Sequence, residues 1–435
     1  MTNKIRLIKN GTLIFPDKEQ PIPGDIYLED DVIKRIDSKS ETKKADRAKS
    51  KGDGIIDATG LLVFPGLIDM HVHLREPGRE DEETIESGAN AAAAGGFTSV
   101  ACMPNTTPPI DNQESVLFIK QRARGCAARV YPVGAISKGR AGKEIAEIGE
   151  MVRMGAVAIS DDGSAVSDSG IMRRAMEYAG MFGIPVISHA EDNALTGNGV
   201  MNEGYESTRL GMPGIPPYSE EVCIARDITL CKYLGTGLHI AHVSTRGSVE
   251  IIRRAKADGV NVTAEAAPHH FTLTDNLIGA EYNTNLKMMP PLRTQADVSA
   301  IIAGLKDGTI DAIASDHAPH SPEEKEVEFD QAPNGIIGLE TTLGLVTTHL
   351  VRPGHITWNQ VARLLSSFPA RRLKLPGGEL KAGKVADITI IDPKASWTVR
   401  VDKFHSRSRN SPYDGWKVYG KVRFTILGGE ISYSA

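Results

Sequence analysis

The chain has 435 residues, 40% hydrophobic and 24% charged, with a formal net charge of -5. That length calls for one large domain and a smaller one, and the weak acidity with no basic stripe excludes a nucleic-acid or anionic-membrane partner. No run of ~18 apolar residues and no apolar leader occur, and the four cysteines (Cys102, Cys126, Cys223, Cys231) form no CxxC pair, so a cytoplasmic protein with no membrane contact is expected.

In chain order, residues 4 to about 62 read as short alternating strands, "IRLIKNGTLI", "GDIYLEDDVIKRID" and "GIIDATG". The far end is similar, with "ADITIIDP", "SWTVRV" and "GKVRFTILGGEIS". Neither end holds enough strands for its own core, so residues 1–63 and 376–435 are expected to form one small β-sandwich module. The run "SETKKADRAKSKGDG" at 40–54 reads as a solvated loop, its bases interspersed with acids.

Residues 64–375 alternate apolar strands with amphipathic helices. "LLVFPGLIDMHVH" comes first, and "AAAAGGF" at 91–97 stops a helix on glycine before the second strand, "TSVACMPN". "RVYPVGAI", "AVAISDDG" and "GIPVISHAED" follow, with helices expected near 112–125, 143–154 and 168–182 and one ending at 234. "GLHIAHVST", "VNVTAEAAPHH" and "TIDAIASDHAPH" complete eight strands. Eight βα units predict an α/β fold of the closed (β/α)8 TIM-type barrel class. No GxGxxG or P-loop pattern supports a nucleotide cofactor.

Chemistry in such barrels sits at the C-terminal ends of the strands. There lie His71 and His73 (first strand), Asp161 and Asp162 (fourth), His189 (fifth), His242 (sixth), and Asp316, His317 and His320 (eighth). A lone strand-end histidine is usually a hydrogen-bonded core residue, but this convergence on one rim predicts a metal site. Alternation puts Ile68, Met70 and Val72 on the helices and His71 and His73 inside. It turns Ala158, Ser160 and Asp162 inward and leaves Asp161 to brace a loop; Ala312, Ala314 and Asp316 form the inward face of strand eight. His239 and His242 have opposite parity, and only position favours His242.

Four imidazoles and two carboxylates suit Zn²⁺, and they exceed what one catalytic ion takes. They suit two ions ~3.5–4 Å apart: His71, His73 and Asp316 on one, His189 and His242 on the other, Asp162 bridging. A water shared by two such ions titrates far below its bulk ~15.7, towards ~7, which gives a hydroxide at neutral pH. Asp316 is then placed to act as general acid and base.

"HVHLREPG" (71–78), "MPNT" (103–106), "SDDG" (160–163), "HAED" (189–192), "HVST" (242–245) and "DHAPH" (316–320) resemble, in order and over nearly the whole chain, the amidohydrolase superfamily. Within it they resemble the bacterial type of dihydroorotase family, with aspartate as metal bridge. The resemblance implies reversible closure of N-carbamoyl-L-aspartate to L-dihydroorotate plus water in pyrimidine synthesis. It implies that Arg75, Asn105 and His320 hold the substrate's free carboxylate, with loop contacts from Asn334 and Gly335. An arginine fork suits that task; a salt bridge from Arg75 to Glu76 or Glu80 is the competing role. A homodimer and association with an aspartate transcarbamoylase are compatible with the family.

Two departures stand out. "KMMPPLR" puts Met289 where the family's asparagine meets the pyrimidine ring, with Asn285 as a substitute; "APNG" puts Asn334 where an aromatic is common, leaving backbone contacts. "SPEEKEVEFDQ", before it, reads as a mobile lid poor in apolar anchors. His269 and His270 are expected in packing or supporting roles, and Asp69 as a support for the histidines or a neighbouring strand. The competing functions are a hydantoinase or allantoinase, which typically carry a carboxylated lysine where this chain reads "AISDDG", and a catalytically inactive scaffold. A phosphoesterase is disfavoured by Arg75.

Overall fold

The structure, a computed structural model, describes residues 4–38 and 54–435. Of the charged loop at 40–54, only Gly54 falls within that range. The eight barrel strands are Leu67–Val72, Phe97–Cys102, Arg129–Gly134, Ala158–Ile159, Val186–Ser188, Leu238–Ile240, Val262–Ala266 and Ala312–Ile313. They lie side by side in sequence order, each parallel to the next. His73 N donates to His317 O at 2.8 Å and brings the last strand round to the first. Near-continuous burial along the strands is what a parallel sheet covered by helices requires.

The helices start and stop where local chemistry dictates. Thr84 caps Ile85–Ala94 by accepting from Ser87 N at 3.0 Å. Small residues (Ala89, Ala91, Ala92) let that helix lie close to the strands. Gly96, at φ 90°, then turns the chain into the second strand. Asp168 caps Ser169–Phe182, which ends on Gly183 at φ 63°.

The first strand departs from simple alternation. Ile68 and Met70 pack with Ala101, Val133, Ala158, Ile187 and Ala314 across the barrel interior, whereas Val72 joins the helix-side core. The pairing explains it: the four residues Asp69 to Val72 stand opposite only three, Val100 to Cys102, on the second strand. This bulge reverses the facing of the strand partway along, so apolar residues fill the interior below while His71 and His73 reach the mouth above. Strands four and eight follow the expected parity, with Ala158, Ala312 and Ala314 inside and Ile159 and Ile313 outside.

Strands from both termini form one further sheet. Leu7–Leu13, Ile22–Glu29, Val32–Ser38, Ile55–Asp57 and Leu62–Pro65 are joined to Ile388–Thr398, Lys417–Leu427 and Glu430–Ser434. Leu62–Pro65 pairs antiparallel with Ile388–Ile391 at the junction. Ile33 exchanges backbone hydrogen bonds with Lys384 and Gly383, wrapping the sheet round its own core of Ile8, Leu13, Ile26, Val63, Ile388 and Ile426. The chain crosses into the barrel at Gly66, where a Cβ would stand 2.2 Å from Thr98 Oγ1. Between the C-terminal strands, Ser406, Ser408 and Asn410 are buried against the barrel loops. No helix among the described residues is long and apolar enough to cross a membrane.

Candidate metal centre

A cavity of about 290 Å³ at the barrel mouth is bordered by His73, Arg75, Asn105, Asp162, His189, His242, Met289, Asp316, His320, Asn334 and Gly335. Asp162 lies at its base. Its Oδ1 stands 3.3 Å from His71 Nε2, 3.4 Å from His189 Nδ1 and 3.5 Å from His242 Nε2. Its Oδ2 is 3.5 Å from His73 Nε2. Asp316 Oδ1 lies 3.1 Å from His73 Nε2 and 3.5 Å from His71 Nε2. His71, His73 and Asp162 form one potential ligand triad; Asp162, His189 and His242 form a second that shares the aspartate. Arg75, His242 and Asp316 take left-handed backbone angles, φ 60°, 32° and 49°. Such angles cost of order 1–3 kcal/mol each and persist where surrounding structure enforces them.

The side chains fit a divalent cation. Asp162 Oδ1, His71 Nε2 and His242 Nδ1 are buried without a hydrogen-bond partner, and the first two face the point where the triads meet. His71 Nδ1 donates to Glu265 Oε1 at 2.7 Å, and His73 Nδ1 donates to Asn105 Oδ1 at 2.7 Å. Each bond leaves the Nε2 lone pair facing the carboxylates, the tautomer a metal ligand needs.

Charge tells the same story. Burial opposes protonation of His71, yet Asp162, Asp316 and Glu265 hold its imidazole well above the usual value. His189 is likewise buried, and Asp162 and Glu191 raise it to about 10. Burial would raise Asp162 and Asp316, but the imidazoles facing them, His71 foremost, hold both below the carboxylate range. The carboxylates thus demand positive charge between them, and a cation would supply it in place of protons.

The remaining residues sort by contact. Asp161 accepts from Ile136 N (2.8 Å) and Ser137 N (3.1 Å), bracing the loop after strand three. His239 sits on Thr263 (2.9 Å) and Glu265 (3.0 Å), so His242 is the strand-six histidine in the cluster. Asp69 accepts from His71 N (3.1 Å) and Ser315 N (3.0 Å), stitching the first strand to the eighth. His269 and His270 stack edge to face at 4.3 Å, outside both triads, and burial lowers His269 to about 4.

At the outer side of the cavity, Arg75 ignores Glu76 and Glu80. Glu76 instead takes Arg122 at 2.6 Å, and Glu80 takes Gly78 N at 2.9 Å. Arg75 Nε faces Pro319 O at 3.0 Å and Glu82 at 3.1 Å. Asn105 gives its carbonyl to His73, which leaves its amide NH₂ for the cavity. Asn334 and Gly335 border the cavity, and three of their four backbone polar groups are engaged within the protein. Asn334 O accepts from His320 Nε2 (2.9 Å), Gly335 N donates to Lys287 O (2.9 Å), and Gly335 O accepts from Asn410 Nδ2 (3.2 Å). Met289 reaches the cavity and Asn285 is not among its lining residues. The segment expected as a mobile lid is anchored at two points in this conformation: Phe329 packs on Leu286, Met288 and Ile336, and Lys325 donates to Thr284 O (3.1 Å) and Pro333 O (2.8 Å). One phenylalanine among acidic residues gave too little signal to show this.

Glu265, Glu82 and Asn410 escaped the sequence reading. Glu265 had a visible signal, an acid inside an apolar strand. The other two act across long sequence separations that no local pattern marks.

A family model described as dihydro-orotase-like matches residues 60–248. The chain is 53% identical over 429 residues to a dihydroorotase of Geobacter metallireducens, covering 98% of this chain and 99% of that one. It is 53% identical over 425 residues to a dihydroorotase of Pelotomaculum thermopropionicum, covering 98% and 97%. Among solved structures, L-hydantoinase (dihydropyrimidinase) from Arthrobacter aurescens superposes with a TM-score of 0.86 at 25% identity, covering 98% of this chain and 96% of that one.

Proposed function

The chain belongs to the dihydroorotase family, and on that premise we propose that it interconverts N-carbamoyl-L-aspartate and L-dihydroorotate plus water in pyrimidine synthesis. The carrying observation is Asp162, shared between two histidine pairs at a mouth that also holds Arg75. His71, His73 and Asp316 would hold one ion and His189 and His242 the other, with Asp162 common to both; the imidazole-rich set favours Zn²⁺, two per subunit. The ions would supply Lewis acidity and a water deprotonated at neutral pH.

The chain's own residues do the rest. Arg75, Asn105 and His320 border one side of the cavity and hold the substrate's free carboxylate, with Asn334 and Gly335 closing that side. This fixes the reacting carbonyl towards Asp316. In the hydrolytic direction the nucleophile is water that has already lost one proton, and Asp316 takes its remaining proton as the C–O bond forms. It returns that proton to the ring nitrogen as the C–N bond breaks, leaving a carboxylate and the carbamoyl amide. Ring closure runs the same proton path backwards. Met289 gives the pyrimidine ring an apolar neighbour.

A cytoplasmic location fits the four unpaired cysteines. A homodimer, and association with the aspartate transcarbamoylase that makes its substrate, complete the reading; light scattering with and without that enzyme tests them. The activity is tested by metal analysis and hydrolysis of dihydroorotate, hydantoin and allantoin on one preparation. Metal-dependent preference for dihydroorotate is expected. Preference for either other ring would overturn the assignment.

A further inference from the structure

Glu82 is 2% exposed, and both of its oxygens are used. Oε1 accepts from His320 Nδ1 at 3.1 Å and faces Arg79 Nη2 at 3.2 Å. Oε2 faces Arg75 Nε at 3.1 Å. One buried carboxylate therefore joins the arginine and the histidine assigned to the substrate's free carboxylate. Its own position is fixed from behind: Ser408 Oγ donates to Glu82 O at 2.8 Å, and the neighbouring Glu83 accepts from Arg407 N at 3.1 Å and faces His317 Nε2 at 3.2 Å.

Glu82, His320 and Glu324 lie close enough together to hold a cation. A guanidinium already does that work, since Arg79 Nη2 lies 3.2 Å from Glu82 and 2.8 Å from Glu324. The cluster is thus a braced ionic network. Its buried members converge on Arg75 and His320, whose Nη2 and Nε2 lie 3.3 Å apart at the cavity edge.

We propose that Glu82 is a positioning residue for the substrate's free carboxylate, pairing with Arg75 on its Nε side, where Pro319 O also accepts, and accepting from His320 Nδ1, so that both groups are fixed at the cavity wall the ligand meets. This rests on the reading of Arg75 and His320 as the carboxylate clamp. Arginine recognises carboxylates through a rigid planar fork, so its orientation matters as much as its charge. Glu82 and Pro319 O occupy the Nε side, which turns the terminal nitrogens towards His320 at the cavity edge. It also compensates a buried guanidinium before substrate arrives, which lets cationic groups crowd one wall.

The test compares wild type, Glu82→Gln, Glu82→Asp and Arg75→Met as metal-loaded full-length proteins, reading kcat and KM for dihydroorotate together with metal content. Glu82→Gln is expected to raise KM about tenfold or more while kcat moves less than about threefold. Glu82→Asp, which keeps the charge with a shorter reach, should lie between it and wild type. A KM within about twofold of wild type in folded Glu82→Gln, or a fall in kcat alone, overturns the proposal. Should Glu82→Gln not fold, Glu82→Asp decides by the same criterion. Arg75→Met separates the two readings. If it raises KM while the Glu82 variants do not, only the positioning role fails; if it leaves KM untouched, the clamp reading itself fails.

Discussion

Glu265 and His71 meet beneath the candidate metal centre, with carboxylate Oε1 2.7 Å from imidazole Nδ1. Burial works against the carboxylate, yet His71 and His239 keep Glu265 ionised down to about 2. The same side chain receives His239 Nε2 at 3.0 Å, so its orientation is fixed from two sides. A carboxylate behind a ligating histidine sets the tautomer and raises the basicity of the other nitrogen. Glu265→Gln is expected to weaken metal affinity about 10–100-fold, measured by competition with a chromogenic chelator. An unchanged affinity would mean that His71 needs no anionic support.

Asp316 sits at φ 49°, in the left-handed region, where asparagine is tolerated better than alanine. Asp316→Asn is therefore the cleaner removal of a proton carrier, with Asp316→Ala as its harsher companion. Both should lower kcat for dihydroorotate by about 10²–10⁴-fold. Metal content should fall only in part, because His71, His73 and Asp162 form a triad without Asp316. Wild-type kcat in a metal-replete Asp316→Asn preparation would remove Asp316 from the chemistry.

The eight strands, their parallel order and the polar residues at their ends were legible because each rests on local pattern: apolar runs, turns and alternation. Alternation misassigned Ile68 and Met70, since one inserted residue before Val72 reverses the facing and nothing in "LIDMHVH" marks it. His239 and His242 could be separated only once Glu265 and Asp162 were seen to claim one each. Glu82 and Asn410 were invisible for a different reason. The partner they share, His320, is 238 and 90 residues away, and a contact over that separation is set by the whole fold.

Asn410 comes from the C-terminal portion of the chain, yet it secures two barrel loops. Its Nδ2 donates to Ala318 O (2.9 Å) and Gly335 O (3.2 Å), and its Oδ1 accepts from His320 N (3.1 Å). Asn410→Ala leaves those buried groups without partners, at roughly 1–3 kcal/mol each if no water enters. A loss of about 2 kcal/mol or more in urea unfolding is expected, with the slope unchanged. KM for dihydroorotate should rise as well, because His320 and Gly335 both border the cavity. A stability loss with wild-type KM would confine Asn410 to a structural role.

Lys325 is 6% exposed, and among the described residues its ammonium donates to backbone carbonyls, Thr284 O and Pro333 O. Burial, then repulsion from Lys287 and Arg75, lower its ammonium to about 7, with Glu324 the facing group that opposes them. The unfolded chain keeps the ordinary lysine value of ~10.4. Between about pH 7 and ~10 the unfolded state therefore binds a proton that the folded state has released, and stability gained from this group rises with pH. That gain is complete above the unfolded value and is lost as pH falls towards 7, where the buried ammonium carries its full desolvation cost. Lys325→Met removes the titration, so the urea midpoint of wild type should climb relative to the variant from about pH 6.5 to about 9.5. A difference that stays flat over that range would show that Lys325 keeps its proton in the folded protein and that its carbonyl partners offset its burial.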